Sequence, residues 1–514
     1  MVRRGNRGQK VTLSARMVMG RLLGLGVMML ALLAAIPAPG LAQDFSFATV
    51  RDQAQRLAAE PYRKPEAIAA SPLKAMSYEQ YMQVRFQPNN ALWYGTGASF
   101  RAEFFPAGFI FDTPVSVFTV VNGRATPVMG SATMFDFSSA DLPAGTVPLL
   151  AGFRLTYPLH GAKHDEVIAF LGASYFRPIA RGQVYGASAR GLAIDTGLPR
   201  PEEFPYFRSF WLPTPVDAGG EAVVWALLDT PAAAGAYAFT IRPGTRTVVE
   251  VSASLFMRHD VSLMGLAPLT SMYLMGKGGP RRDDFRPEVH DSDGLFLHTG
   301  AGERIWRPLT NPKTLSVSSF VDRDPRGFGL LQREREFSEY QDTNANYHMR
   351  PGLWVEPLDP WGEGEIRLLE LPTDSEVHDN IAAFWAPRIP PKKGERLDLR
   401  YRLTALSADP LPETVGRVVA TRTSALGGRP RQRLVVVEFA GGDLQSLANE
   451  QPVEAVVSTS SGKILRQRAE RSPTGTWRLF TEIEPDGRKP VDLRAFLRLR
   501  GEALTETWSY LLRP

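Results

Sequence analysis

The sequence predicts an all-β protein, a large β-sandwich followed by an immunoglobulin-like β-sandwich. Three observations lead there. The 514 residues include 45 Gly and 41 Pro, a density of turn formers that long helices do not tolerate. Apolar residues recur through most of the chain with a period of two, in short runs rich in Val, Phe, Tyr and Thr. A segment dense in Pro and cations, Ala386 to Gly394, divides a long first part from a shorter second one.

Residues 1–42 have the order of a secretory signal peptide. Arg3, Arg4, Arg7, Lys10, Arg16 and Arg21 come first, an apolar run from Leu22 to Ile36 follows, and Gly40-Leu41-Ala42 supplies the small residues of a cleavage site. The run falls short of the ~20 residues that span a bilayer, so the mature protein is expected in an exported compartment. Phe47, Val50, Ala54 and Leu57 then recur at helical spacing, which predicts a short amphipathic helix. Residues 43–386 carry the first sandwich, with strands expected at Ser99–Phe105, Pro114–Val121, Ala222–Leu228, Ala236–Arg242 and Thr247–Met257. Residues 387–396 form the expected linker. Residues 397–514 carry the second sandwich: its first strand is expected on the alternation Leu397, Leu399, Tyr401, Leu403. Six more are expected at Arg417–Thr423, Leu434–Phe439, Val453–Ser458, Thr476–Thr481, Val491–Leu497 and Thr505–Leu512.

Charge and composition exclude several functions. The net charge of +5 is concentrated in the leader, because residues 1–42 hold six cations and no anion; the remaining 53 basic and 54 acidic residues give a net charge of −1. That removes the electrostatic case for a nucleic-acid partner. Without cysteine there are no disulfides, thiolate nucleophiles or Cys-based metal centres. Gly186-Ala187-Ser188-Ala189-Arg190 fails as a nucleophile elbow because Arg stands where the turn needs its second Gly. Asp291-Ser292-Asp293-Gly294 opens like a calcium loop but continues with Leu295-Phe296, and His290 with His298 has no third partner at zinc spacing. No metal and no cofactor is expected.

What remains is a concentration of carboxylates among aromatics. Asp283, Asp284, Glu288, Asp291 and Asp293 form one cluster and Asp374, Glu376 and Asp379 another, with Trp306, Tyr347, Trp354, Trp361 and Trp385 nearby in sequence. Glycoside chemistry needs such a set: one protonated carboxyl, one ionised carboxyl, and aromatic faces for sugar rings. Solvated turn residues and core tryptophans would give the same pattern.

Several stretches together resemble the periplasmic glucan biosynthesis proteins G and D. They are Leu171-Gly172-Ala173-Ser174-Tyr175-Phe176-Arg177, Arg286-Pro287-Glu288-Val289-His290-Asp291-Ser292, Trp306-Arg307-Pro308-Leu309, Gly327-Phe328-Gly329-Leu330-Leu331-Gln332-Arg333 and Asp379-Asn380-Ile381. The resemblance covers essentially the whole mature chain. It implies a galactose-mutarotase-like β-sandwich followed by an immunoglobulin-like β-sandwich, in the periplasm. It further implies work on the β-1,2-linked backbone of osmoregulated periplasmic glucans. Two readings follow, an inverting endo-β-1,2-glucanase or remodelling enzyme, and a non-catalytic factor presenting nascent glucan to membrane synthases. On the first, Asp379 is the expected general acid and Asp291 the expected general base. Tyr347, Trp306, Arg307, Trp354 and Trp385 are the expected substrate-binding residues. As the acid, Asp379 would need a raised pKa, from burial or from an anion such as Asp374 or Glu376. The sequence leaves open whether the protein is a monomer or a homodimer.

Overall fold

A computed structural model describes residues 44–513 apart from 69–70, 138–145, 216–219, 280–282, 449 and 488. The expected signal peptide lies outside the described residues. Among these, no helix is long and apolar enough to cross a membrane. The protein is all-β, and its strands collect into two large sheets and several small ones.

The opening helix spans Phe47–Ala59 and buries Val50 and Ala54 against Trp211, Ala236 and Phe256. The five strands expected in the first sandwich form as Arg101–Pro106, Ser116–Val121, Ala222–Asp229, Ala233–Arg242 and Thr247–Met257. One sheet has ten strands and includes Leu150–His160, Lys163–Leu171, Met264–Ser271, Glu363–Glu370 and Ile381–Pro387. The other has fifteen and includes Tyr206–Pro213, Ala222–Asp229, Ala233–Arg242 and Thr247–Met257. Phenylalanines from the inner faces interlock between them. Phe153 meets Phe210 and Phe170 meets Phe239 edge-on, each at 5.1 Å between ring centroids. Such pairs add about 0.5–1.5 kcal/mol each beyond the area they bury.

The domain boundary differs from expectation. Strand Arg396–Leu406 pairs antiparallel with Thr247–Met257 on one side and Gly352–Pro357 on the other, deep in the fifteen-stranded sheet. Residues 387–396 therefore connect two strands of the large sandwich and are not a linker between sandwiches. Their turn is fastened down, with Gly394 N donating to Met257 O at 2.9 Å and Lys393 N to Asp260 Oδ1 at 2.8 Å. Proline and lysine mark exposure, and a tight connection on the surface is as exposed as a linker.

The remaining strands expected to form a second sandwich follow Leu406. One of its sheets has the order Arg417–Leu426, Arg429–Ala440, Trp477–Glu484, Lys463–Arg471. Lys463–Arg471 was not expected, because an edge strand mostly open to solvent carries charges where a buried strand alternates. The strands Glu454–Thr459, Val491–Leu499 and Thr507–Leu512 do not close off a separate sheet. They extend the fifteen-stranded one, where Trp508 lies beside Trp306 in a parallel pairing. From Phe45 onward the chain is one compact unit.

Arg333 is the joint between the two sandwiches. Its guanidinium lies 3.5 Å from the centre of the Trp306 ring, donates to Glu506 at 2.6 and 3.0 Å, and reaches Asp409 and the carbonyl of Val418. Glu506 is fully buried and also accepts from Val418 N at 2.8 Å. Replacing Glu506 with Ala strands a buried cation, so we expect a loss of about 3–5 kcal/mol in chemical denaturation. A Glu506→Ala variant as stable as the wild type would show that Arg333 is held adequately by its other partners.

Candidate functional site

The site is built around the end of strand Met264–Ser271. A bulge interrupts its pairing with Ile381–Pro387 between Leu266 and Leu269, and Ala267 there adopts a left-handed φ of 45°. Bulges of this kind re-aim the side chains that follow them. Thr270 lies just beyond it, with its hydroxyl 3.3 Å from Asp379 Oδ2. Two residues further on, Met272 O accepts from Asp291 N at 2.8 Å. The next residue, Tyr273, is bracketed by Asn380: Tyr273 N donates to Asn380 Oδ1 at 2.8 Å, and Asn380 Nδ2 donates to Tyr273 O at 3.1 Å. The segments that carry the two expected acids, distant in sequence, are thus tethered to the consecutive residues Met272 and Tyr273 just beyond that strand.

The two acids lie in contrasting environments. Asp379 is exposed, whereas Asp291 is only 4% exposed. Burial, first, and the neighbouring charge of Asp379 push the Asp291 pKa up to about 6, against the lowering effect of Arg350 and His290. Arg350 Nη1 donates to Asp291 Oδ1 in a close ion pair. Glu376, one of the anions expected to keep Asp379 protonated, is instead paired with Arg286 at 2.7 Å. Arg286 also holds Asp284 and Asp342 at 2.8 Å, so one guanidinium ties together three loops around the acids.

Tyr347 opens the short turn Tyr347–Met349, and Arg350, three residues on, lies 4.1 Å from its ring centre. The same guanidinium therefore touches both Tyr347 and Asp291. Burial raises the Tyr347 phenol well above its usual pKa, so it stays protonated. Tyr340 stacks on it at 6.0 Å, leaving the ring no free face for a sugar.

The remaining expected substrate residues lie elsewhere. Trp385 is fully buried in the main core beside Trp361. Trp354 is packed under the second sandwich against Phe296, with Gly327 and Gly329 against its ring. Trp306 is covered by Arg333 and borders a separate cavity of about 790 Å³ that neither Asp291 nor Asp379 lines. Arg307 is 2% exposed, with Nη2 donating to Ser318 Oγ at 3.1 Å. All four sit in central strands with neighbours on both sides, where side chains are enclosed on either face. The accessible aromatics near Asp379 are different ones. Arg190 bridges the Tyr175 and Phe204 rings at 5.3 and 4.9 Å, and the Tyr175 phenol feels the Asp379 charge. Phe204 is 45% exposed. Arg350 and Phe204 carry no motif of their own; the only local signal for Arg350 is its three-residue spacing from Tyr347.

Glu288, His290 and Asp293 each bring a donor atom within 4.8 Å of the others, the one such grouping among the described residues that could hold a metal. His290 Nδ1 is 2.9 Å from Gln332 Oε1, and Nε2 is 2.9 Å from Glu288 Oε2. The carboxamide of Gln332 is oriented by donating Nε2 to the carbonyls of His290 and Tyr347. Its oxygen must therefore accept from Nδ1–H, and Nε2 needs a proton of its own to face a carboxylate. Burial opposes that proton, but Asp293 and Glu288 outweigh it and raise the His290 pKa. The His290 ring, hydrogen-bonded through both nitrogens, already occupies the centre of the trio.

The fold and site define an all-β protein with one buried and one exposed aspartate among paired arginines and partly open aromatic rings. Comparison with known proteins makes this specific. The family model described as "Periplasmic glucan biosynthesis protein, MdoG" matches residues 45–512, and the chain belongs to that family. It is 44% identical over 498 residues to "Glucans biosynthesis protein G" of Rhodopseudomonas palustris, covering 95% of this chain and 98% of the relative. It is 42% identical over 484 residues to "Probable glucans biosynthesis protein D" of Shewanella oneidensis, covering 92% and 89%. "Glucans biosynthesis protein D" of Stenotrophomonas maltophilia is 42% identical over 487 residues, covering 92% and 91%.

The buried carboxyl leaves a signature in stability. Asp291 binds its proton more tightly folded than unfolded, so between its ordinary pKa of 3.8 and about 6 the native state holds more protons. Stability from this group falls as pH rises through that window. Asp291→Asn removes the effect: its stability relative to the wild type should grow from pH 4 to pH 6 and level off above. A difference independent of pH in denaturant titrations would show that Asp291 keeps an ordinary pKa.

Proposed function

We propose that this chain acts in the periplasm on the β-1,2-linked glucan backbone, as an inverting endo-β-1,2-glucanase or remodelling enzyme of glucan biosynthesis. The observation that carries the reading is the pair of aspartates in contrasting environments, on segments tethered to the adjacent residues Met272 and Tyr273. Two carboxyls whose surroundings differ are what an acid–base division of labour requires. Asp291, ionised above about pH 6 and steadied by Arg350, is the general base. It receives a proton from the attacking water, through a hydrogen-bonded chain because the carboxyl is buried. Asp379 is the general acid and donates to the glycosidic oxygen as that bond breaks. Tyr175 and Phe204 supply the aromatic faces for glucose rings, and membrane-bound synthases are the proposed source of the nascent glucan.

One observation favours a second reading, a non-catalytic factor that binds glucan and presents it to the synthases. Asp291 is sealed by Arg350, so the base has no direct access to water. Incubation with linear β-1,2-glucan separates the two. The glucanase reading expects chain shortening with inversion at the anomeric carbon, and a loss of at least about 100-fold in both Asp379→Asn and Asp291→Asn. It also expects kcat to fall below about pH 6, where Asp291 gains its proton and ceases to be a base. Binding with unchanged chain length supports the presenting factor, and hydrolysis that survives both substitutions rules out the paired mechanism. Phe204→Ala should raise KM by roughly 5- to 10-fold through loss of a stacking face worth about 1–1.4 kcal/mol, while leaving stability nearly unchanged.

A further inference from the structure

Gln332 ends the strand Gly327–Leu331 and is 3% exposed. The hydrogen bonds of its carboxamide converge on the two segments that flank the Asp291–Arg350 pair. Nε2 donates to His290 O at 3.0 Å and to Tyr347 O at 3.3 Å, and Oε1 accepts from His290 Nδ1 at 2.9 Å. Both Nε2 partners are carbonyls, which only accept, so the amide has one possible orientation.

His290 C=O and Asp291 N–H belong to the same peptide unit. Gln332 holds its oxygen and Met272 O holds its hydrogen at 2.8 Å, so the plane that carries Asp291 is clamped at both ends. Tyr347 O, the other acceptor, also receives Arg350 N at 3.1 Å, which roots the turn from which Arg350 reaches Asp291. Arg350 joins the two segments through side chains, and Gln332 joins them through backbone. We infer that Gln332 is a positioning residue, which sets the separation between the Asp291 segment and the Tyr347–Arg350 turn without touching glucan itself. The inference rests on the glucanase reading and deepens it. A displacement of about 1 Å at a reacting group, caused from a distance, costs on the order of 100-fold in rate.

Gln332→Glu tests it with little change of shape. The glutamate keeps an acceptor for His290 Nδ1 and loses both donations to backbone, whereas Gln332→Met loses all three bonds. In the full mature protein, with linear β-1,2-glucan, kcat should fall on the order of 10- to 100-fold in Gln332→Glu while KM stays within about threefold. Amide hydrogen exchange should speed up together in residues 290–292 and 347–350. A purely structural role predicts a lower Tm with unchanged kcat below the unfolding range, and that result overturns the inference. If Gln332→Met fails to fold, Gln332→Glu still decides. If the wild type leaves glucan intact, the glucanase reading fails by that control, and exchange then judges the coupling by itself: acceleration in only one of the two segments overturns it.

Discussion

The backbone of Met272 and Tyr273 is the support on which the site depends. Met272 O holds the Asp291 segment, and the peptide groups of Tyr273 are matched on both sides by the carboxamide of Asn380. Consecutive Cα atoms lie 3.8 Å apart, so the two loops that carry the aspartates cannot drift independently. The strand Met264–Ser271 that leads into them is anchored in the ten-stranded sheet, with Leu269 facing both Ala189 and Ala383 across it. The sheets thus act as a rigid frame for residues that the chain order scatters, and the interlocked phenylalanines keep the frame closed.

Charge is arranged around that support in layers. Arg350 meets the buried carboxyl directly, Arg286 binds three acidic side chains of the surrounding loops, and the His290 ring faces Glu288 and Asp293 behind them. Every one of these cations has its carboxylate within ion-pair distance, which is how partly buried charges are tolerated. Arg333 repeats the device at the junction of the sandwiches, where Asp409 and Glu506 oppose it and Trp306 covers its face. The side of the large sheet that supports the second sandwich is therefore polar at its centre and apolar around it, with Phe296, Trp354 and Trp508 in the same core.

Much of the architecture was legible because alternation is a local property. Val, Phe and Tyr at every second position imply a strand whose inner face is buried, and the five strands expected in the first sandwich are all present within a few residues. The same property misled at Arg396–Leu406. Its alternation marks a strand correctly, but pairing with Thr247–Met257 is a contact across more than a hundred residues, to which no local pattern points. The tryptophans failed for a related reason. Trp306, Trp354 and Trp385 have the composition of a sugar platform, yet each lies in a strand with hydrogen-bonded neighbours on both sides, where aromatic rings fill the core. Phe204, in a loop, escaped notice because an isolated Phe carries no spacing signal.

The sequence by itself determined the all-β class, the near-neutral charge after the leader, the exclusion of thiol chemistry, and the family through motifs spread over the chain. These depend on composition, period and short matches, which are properties of neighbouring residues. Tertiary structure alone decided which aspartate is buried, which arginine opposes it, and which aromatic rings remain open to a ligand. Desolvation and ion pairing are set by what lies within a few ångströms in space, and the residues that come that close here, Asp291, Arg350, Gln332 and Asp379, are strangers in sequence.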